Sequence, residues 1–109
     1  IEPIQGATGF VTPTNNFLQK VREKCTETET LLIFDEIQTC YGRLGTLFGF
    51  ETYNITPDIL CIAKGMGGGM PIGAFISSWE MMKSDRDTSE NSRYWRNTAS
   101  VMNSNIEWS

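Results

Sequence analysis

The chain contains no histidine. That absence removes Ser-His-Asp and Cys-His nucleophile systems and every histidine-containing zinc site. Cysteine is sparse: Cys25, Cys40 and Cys61 are odd in number, far apart and free of any C-x-x-C pair. No disulfide framework or metal ribbon follows from that spacing, and the three are read as free thiols. No apolar run approaches the roughly 20 residues that span a bilayer. No signal-peptide pattern and no initiator methionine are visible at Ile1, so the expectation is a cytoplasmic fragment with no membrane partner. Basic residues are also in short supply: nine Lys and Arg against thirteen Asp and Glu, a net charge of −4. They form no clustered face, so a nucleic-acid partner is not expected. What remains is ordinary globular composition, 39% hydrophobic and 20% charged, over 109 residues. That is enough for one domain at most, burying about two-thirds of its unfolded surface.

The stretch from Leu31 to Gly73 organises the rest. Leu31 to Phe34 is a short, continuous apolar run bounded by polar residues, the pattern of a parallel strand covered on both faces. Asp35 and Glu36 follow at its end. Tyr41 to Gly45 reads as a turn, Phe48 to Tyr53 as a helical turn, and Asn54 to Asp58 as a loop around Pro57. Ile59 to Ala63 is the next buried strand, and it ends on Lys64. Four of the five residues from Gly65 to Gly69 are glycine, which predicts a loop with no regular element, where backbone comes close to something. Ile72 to Ser78 reads as a further strand and Trp79 to Lys83 as the start of a helix. Upstream, Ile1 to Gly9 reads as a strand end stopped by Pro3, then a glycine turn. From Thr12 to Thr28, Phe17, Leu18, Val21 and Cys25 recur at helical spacing, with Pro13 suited to a first turn. From Ser84 onward Ser, Asn, Asp and Arg dominate and no period is evident. The chain therefore divides into residues 1–83, one α/β unit, and residues 84–109, a divergent or poorly ordered tail.

An acid at one strand end and an amine at the next place both at the edge where open α/β sheets bind ligands. A lysine at a strand end in an apolar pocket can act as nucleophile or base; it can equally be a snorkelling surface lysine. Asp35 closes an apolar strand, where an unpaired carboxylate is costly; it needs a cationic or hydrogen-bonding partner, or else it caps a nearby loop. Glu2 sits at a strand end as either a site acid or a solvated loop acid. Read alone, LLIFDE also matches a Walker B strand with a magnesium-binding aspartate. That reading needs a G-x-x-x-x-G-K-[ST] loop, which the chain lacks.

The combination of IEPIQG, LLIFDEIQT, YGRLGTLFGFE and PDILCIAKGMGGGMPIGA, in that order, resembles the class III aminotransferases, the ornithine, acetylornithine and 4-aminobutyrate type. The resemblance covers most of residues 1 to 78. It implies an α/β fold with helices layered on a mostly parallel sheet, part of the large domain of fold type I, in which the strand Gly73 to Ser78 runs antiparallel. It implies pyridoxal 5'-phosphate as cofactor and amino-group transfer between an amino acid or ω-amine and a 2-oxo acid, in a homodimer. Lys64 would form the Schiff base with the cofactor aldehyde and shuttle the proton. Asp35 would pair with the pyridinium nitrogen. Gln38 would contact the phenolic oxygen, and Glu2 would be an acid lying near the ring behind those contacts. The chain departs from the family where Ala7 replaces a frequent Glu, Cys40 a Gly and Leu44 a Thr. Lys83 to Ser109 do not follow the family segment. The loop that binds the cofactor phosphate, the aromatic residue that stacks on the ring and the arginine for the substrate carboxylate all belong to parts of the family's fold upstream or in the small domain. A second expectation is therefore that these 109 residues are an inactive remnant with no catalysis of their own.

Overall fold

A computed structural model describes residues 1–14 and 16–84. The reading of residues 84–109 as a tail falls, beyond Ser84, outside the described residues. The elements run α1 (Phe17–Glu27), β1 (Ile33–Asp35), α2 (Gly49–Thr52), β2 (Ile59–Ile62), a 3-10 turn (Lys64–Gly67), β3 (Ala74–Ser77) and α3 (Trp79–Ser84).

The three strands form one sheet in the order β1-β2-β3. β1 pairs parallel with β2, setting Asp35 opposite Cys61. β2 pairs antiparallel with β3, setting Ile62 opposite Ala74. The expected antiparallel direction of the last strand is thus observed, and the described sheet is mixed. Ile1 extends the sheet beyond β1: its amine donates to Ile33 O at 2.9 Å and its carbonyl accepts the Asp35 amide at 2.9 Å. Pro3, which has no amide to donate, follows at once, so the pairing stops.

The core lies on one side of this sheet. Leu32 and Phe34 alternate inward from β1, Leu60 and Ile62 from β2, and all four cluster with Leu18 of α1, Cys40 and Ile55. Val21 and Cys25 extend the α1 stripe onto the same cluster, as the helical spacing requires. Polar contacts hold α1 in register. Arg22 Nη1 donates to Asp58 Oδ2 at 2.7 Å, and that oxygen also accepts the Leu32 amide at 2.7 Å. Gln19 Nε2 donates to Tyr53 O at 2.9 Å.

Three expectations are corrected. β1 is covered on one face only by the described residues. Ile33 is 43% exposed while its neighbour Phe34 is fully buried, because α1 and the segment after β1 both pack on the Phe34 side. α1 begins at Phe17 rather than near Pro13, because Asn16 sits at φ 65, a left-handed conformation that interrupts any helix entering from Thr12. The glycine run is partly regular: Lys64–Gly67 forms a 3-10 turn, with Met66 N donating to Ala63 O at 3.1 Å. One such turn needs only an i to i+3 bond, which glycine allows over a few residues. No helix among the described residues is long and apolar enough to cross a membrane.

Candidate active site

Asp35 closes β1 and is half-buried. Its Oδ1 accepts the Ile37 amide at 3.1 Å, a local turn that aims the chain away from the sheet. The loop-capping alternative is therefore realised by one oxygen. The carboxylate also faces Cys61: burial first, then the Asp35 charge, pushes the Cys61 thiol above its ordinary value.

Glu36, the next residue, alternates to the opposite face and is fully buried. Its two oxygens accept the amides of Gly49 and Phe50, the latter at 2.6 Å. Burial pushes its carboxyl above the ordinary value, against the pull of those two amides. The approach is close enough that a Cβ on Gly49 would stand 3.2 Å from Glu36 Oε2 and 3.0 Å from Thr39 Oγ1, which is why glycine occupies that position.

The segment between these anchors turns back on itself, with Tyr41 N donating to Leu47 O at 2.7 Å. It forms one wall of a cleft of about 280 Å³, to which Gln38, Cys40, Tyr41 and Arg43 contribute. Lys64 and Gly65, just past β2, form the other wall. The two walls touch. Tyr41 packs on Gly65, where a Cβ would lie 3.2 Å from that of Tyr41, and the Cys40 thiol lies 3.7 Å from Ala63 O. Burial holds the Cys40 thiol above its ordinary value, so it is protonated and unreactive near neutral pH. Two cleft residues, Tyr41 at φ 57 and Lys64 at φ 44, occupy the left-handed region that costs a side-chain-bearing residue about 1–3 kcal/mol.

Of the residues singled out in the sequence, Lys64 and Gln38 meet in this cleft. Lys64 is exposed rather than sealed in an apolar pocket. Glu2 reaches Gln38 indirectly: its Oε2 accepts the Gly6 amide at 2.9 Å, and the Gln38 side chain lies over Gly6, 3.0 Å from where a Cβ would stand. Asp35 and Glu2 do not line the cleft. Asp35 stands at the strand end beside it, opposite Cys61 and three residues before Gln38. Sequence reasoning missed Glu36, Tyr41 and Arg43. For Glu36 a signal existed: continuing the Leu32, Phe34 alternation by one step puts residue 36 in the core.

Residues 1–102 match the family described as Aminotransferase class-III. The chain belongs to the class-III aminotransferases. The match runs past residue 83, into the stretch where the sequence reading assigns no resemblance. The chain is 51% identical over 78 residues to a succinylornithine transaminase from Salmonella typhi, covering 72% of this chain and 19% of that protein. It is 47% identical over 77 residues to an acetylornithine aminotransferase from Clostridium acetobutylicum, covering 71% and 20%. Among solved structures it resembles an ornithine aminotransferase from Plasmodium yoelii, with a TM-score of 0.73 and 38% identity over 75% of this chain and 22% of that one. It also resembles a transaminase from the marine bacterium Virgibacillus, with a TM-score of 0.75 and 34% identity over 81% and 20%. The chain thus spans about a fifth of the length of these relatives. A class-III aminotransferase origin leaves the Walker B reading of LLIFDE without support.

Proposed function

We propose that these residues are the cofactor-binding centre of a transaminase that uses pyridoxal 5'-phosphate, acting on an amino acid or ω-amine and a 2-oxo acid of the acetylornithine and ornithine kind. The observation that carries the reading is the cleft itself: Lys64 and Gln38, 26 residues apart in sequence, line one space. The donor set fits the group. Asp35 has one carboxylate oxygen engaged by the Ile37 amide and no further protein partner among the described residues, so it can meet a ring N–H. Lys64 would hold the cofactor through Nζ, Asp35 through its ring nitrogen and Gln38 through its phenolic oxygen. The bound group supplies an electron sink for a substrate carbanion.

The chain's own residues do the rest. Lys64 Nζ, when not engaged, accepts and returns a proton across the cleft, a contribution of about 10²–10⁴-fold for a well-placed group. The Asp35 carboxylate would keep a proton on the ring nitrogen of the bound group, since a nearby negative charge favours the charged form. Glu2 fixes Gly6, and Gly6 limits where Gln38 can turn. Tyr41 packs on Gly65 and narrows the cleft beside Lys64.

The second reading, a remnant without turnover, has one observation behind it. The bare side of the sheet exposes Leu31 by 52% and Ile33 by 43%, surface that a larger enzyme would cover. Titrating the chain with pyridoxal 5'-phosphate tests both. A band at about 400–430 nm that vanishes in Lys64→Ala supports cofactor binding. Amino-group transfer to a 2-oxo acid, assayed on the same sample, separates enzyme from remnant. No Lys64-dependent band removes the cofactor reading for this chain.

A further inference from the structure

We infer that Glu36 is the positioning residue of the cleft: it fastens the wall that carries Gln38 and Tyr41 against the strand end that carries Lys64. Its backbone carbonyl accepts the Thr39 and Cys40 amides at 3.2 and 3.0 Å, closing the segment where it leaves β1. Its carboxylate accepts the Gly49 and Phe50 amides, closing the same segment where it enters α2. One side chain and its own backbone therefore hold both ends of residues 37–48.

The chemistry of the latch is specific. The two amides are both donors, so the residue between them must accept on two atoms. A carboxylate does this; a carboxamide presents an NH₂ to one of the amides. No cation among the described residues pairs with Glu36, and the charge of Glu51 adds repulsion. A charge buried with amides alone is costly, and a stable core is more simply built with an apolar residue at this position. What the latch fixes is the wall. Tyr41 keeps its left-handed backbone and its seat on Gly65, and Cys40 stays 3.7 Å from Ala63 O, only while the segment is held at both ends.

The three thiols report on this directly. Cys40 is buried in the wall, whereas Cys25 in α1 and Cys61 in β2 are half-buried and lie outside it. Iodoacetamide labelling, resolved by peptide mass, is compared in wild type, Glu36→Gln and Gly49→Ala. Gly49→Ala strains the same latch without touching its charge. The expected result is Cys40 labelling about tenfold faster in both variants, from loss of one charge-assisted hydrogen bond or its equivalent in strain. Cys25 and Cys61 rates stay unchanged. Equal acceleration at all three thiols would mean general destabilisation and overturn the inference, as would no change at Cys40. Its bearing on catalysis rests on the cofactor reading. There, Glu36→Gln weakens pyridoxal 5'-phosphate affinity while labelling of Lys64 at saturation stays complete. A wild-type chain with no Lys64-dependent band sinks the cofactor reading and leaves the thiol result standing; unchanged affinity beside an intact wild-type band sinks the catalytic role.

Discussion

Two acids a single step apart along this chain do opposite things, and strand alternation is the reason. Asp35 faces the open side of the sheet with an oxygen to spare; Glu36 faces the core with both oxygens engaged. The pH behaviour of Glu36 differs from that of Asp58. Partial burial pushes Asp58 up, but the Leu32 amide and the Arg22 guanidinium pull it further down, so it lies below its ordinary 3.8. Stability from Asp58 is therefore present above 3.8 and is lost as pH falls through the depressed value. Asp58→Asn is expected to cost about 1–3 kcal/mol at neutral pH in urea unfolding, a loss that shrinks in acid. Glu36 has the reverse sign. Its carboxyl is raised above 4.5 by burial, so the folded chain keeps that proton to a higher pH than the unfolded chain does. Stability relative to Glu36→Gln is highest below 4.5 and falls as pH rises through the raised value. Unfolding of both proteins across that range checks this, and a difference that grows with pH contradicts it. At this scale the strand-end placement of Asp35 and Lys64 was legible because each ends an apolar run. Glu36 was overlooked because a buried acid reads like a solvated one unless the Leu32, Phe34 alternation is carried one step past the apolar run.

At the scale of elements, the strands were legible and the joins between them were not. Ile59–Ile62 and Ala74–Ser77 fall inside the predicted strands, since short β-rich runs between turn residues leave little choice. The start of α1 was misplaced because nothing in a residue string declares that Asn16 turns left-handed. The glycine run hid a 3-10 turn for the same reason. Lys64 opens that turn at φ 44, a conformation glycine adopts freely and alanine does not. Lys64→Gly is therefore expected to be more stable than Lys64→Ala by about 1 kcal/mol, read from paired urea curves. Equal stability would show that the backbone there is not strained. Packing has a plainer expectation. Phe34 is fully buried at the centre of the core, and Phe34→Ala should cost about 3–5 kcal/mol.

For the whole molecule, the sheet is finished on one side only among the described residues. The chain covers about a fifth of the length of its relatives, which composition alone does not disclose. Ile33 projects from the open side at 43% exposure. Ile33→Thr should reduce concentration-dependent association, measured by sedimentation, at a stability cost of about 1 kcal/mol or less, because the side chain has little burial to lose. Asp35 ends the strand that carries Ile33 on this open face, so the proposed cofactor contact of Asp35 and the unfinished surface adjoin one another.

Borohydride reduction after adding pyridoxal 5'-phosphate, followed by peptide mapping, asks whether the cleft selects one amine from several. Covalent label confined to the Lys64 peptide, saturating with cofactor and weakened in Asp35→Asn, is the expected result. Label spread evenly over Lys20, Lys24, Lys64 and Lys83 without saturation would mean that the strand-end lysine is an ordinary surface amine.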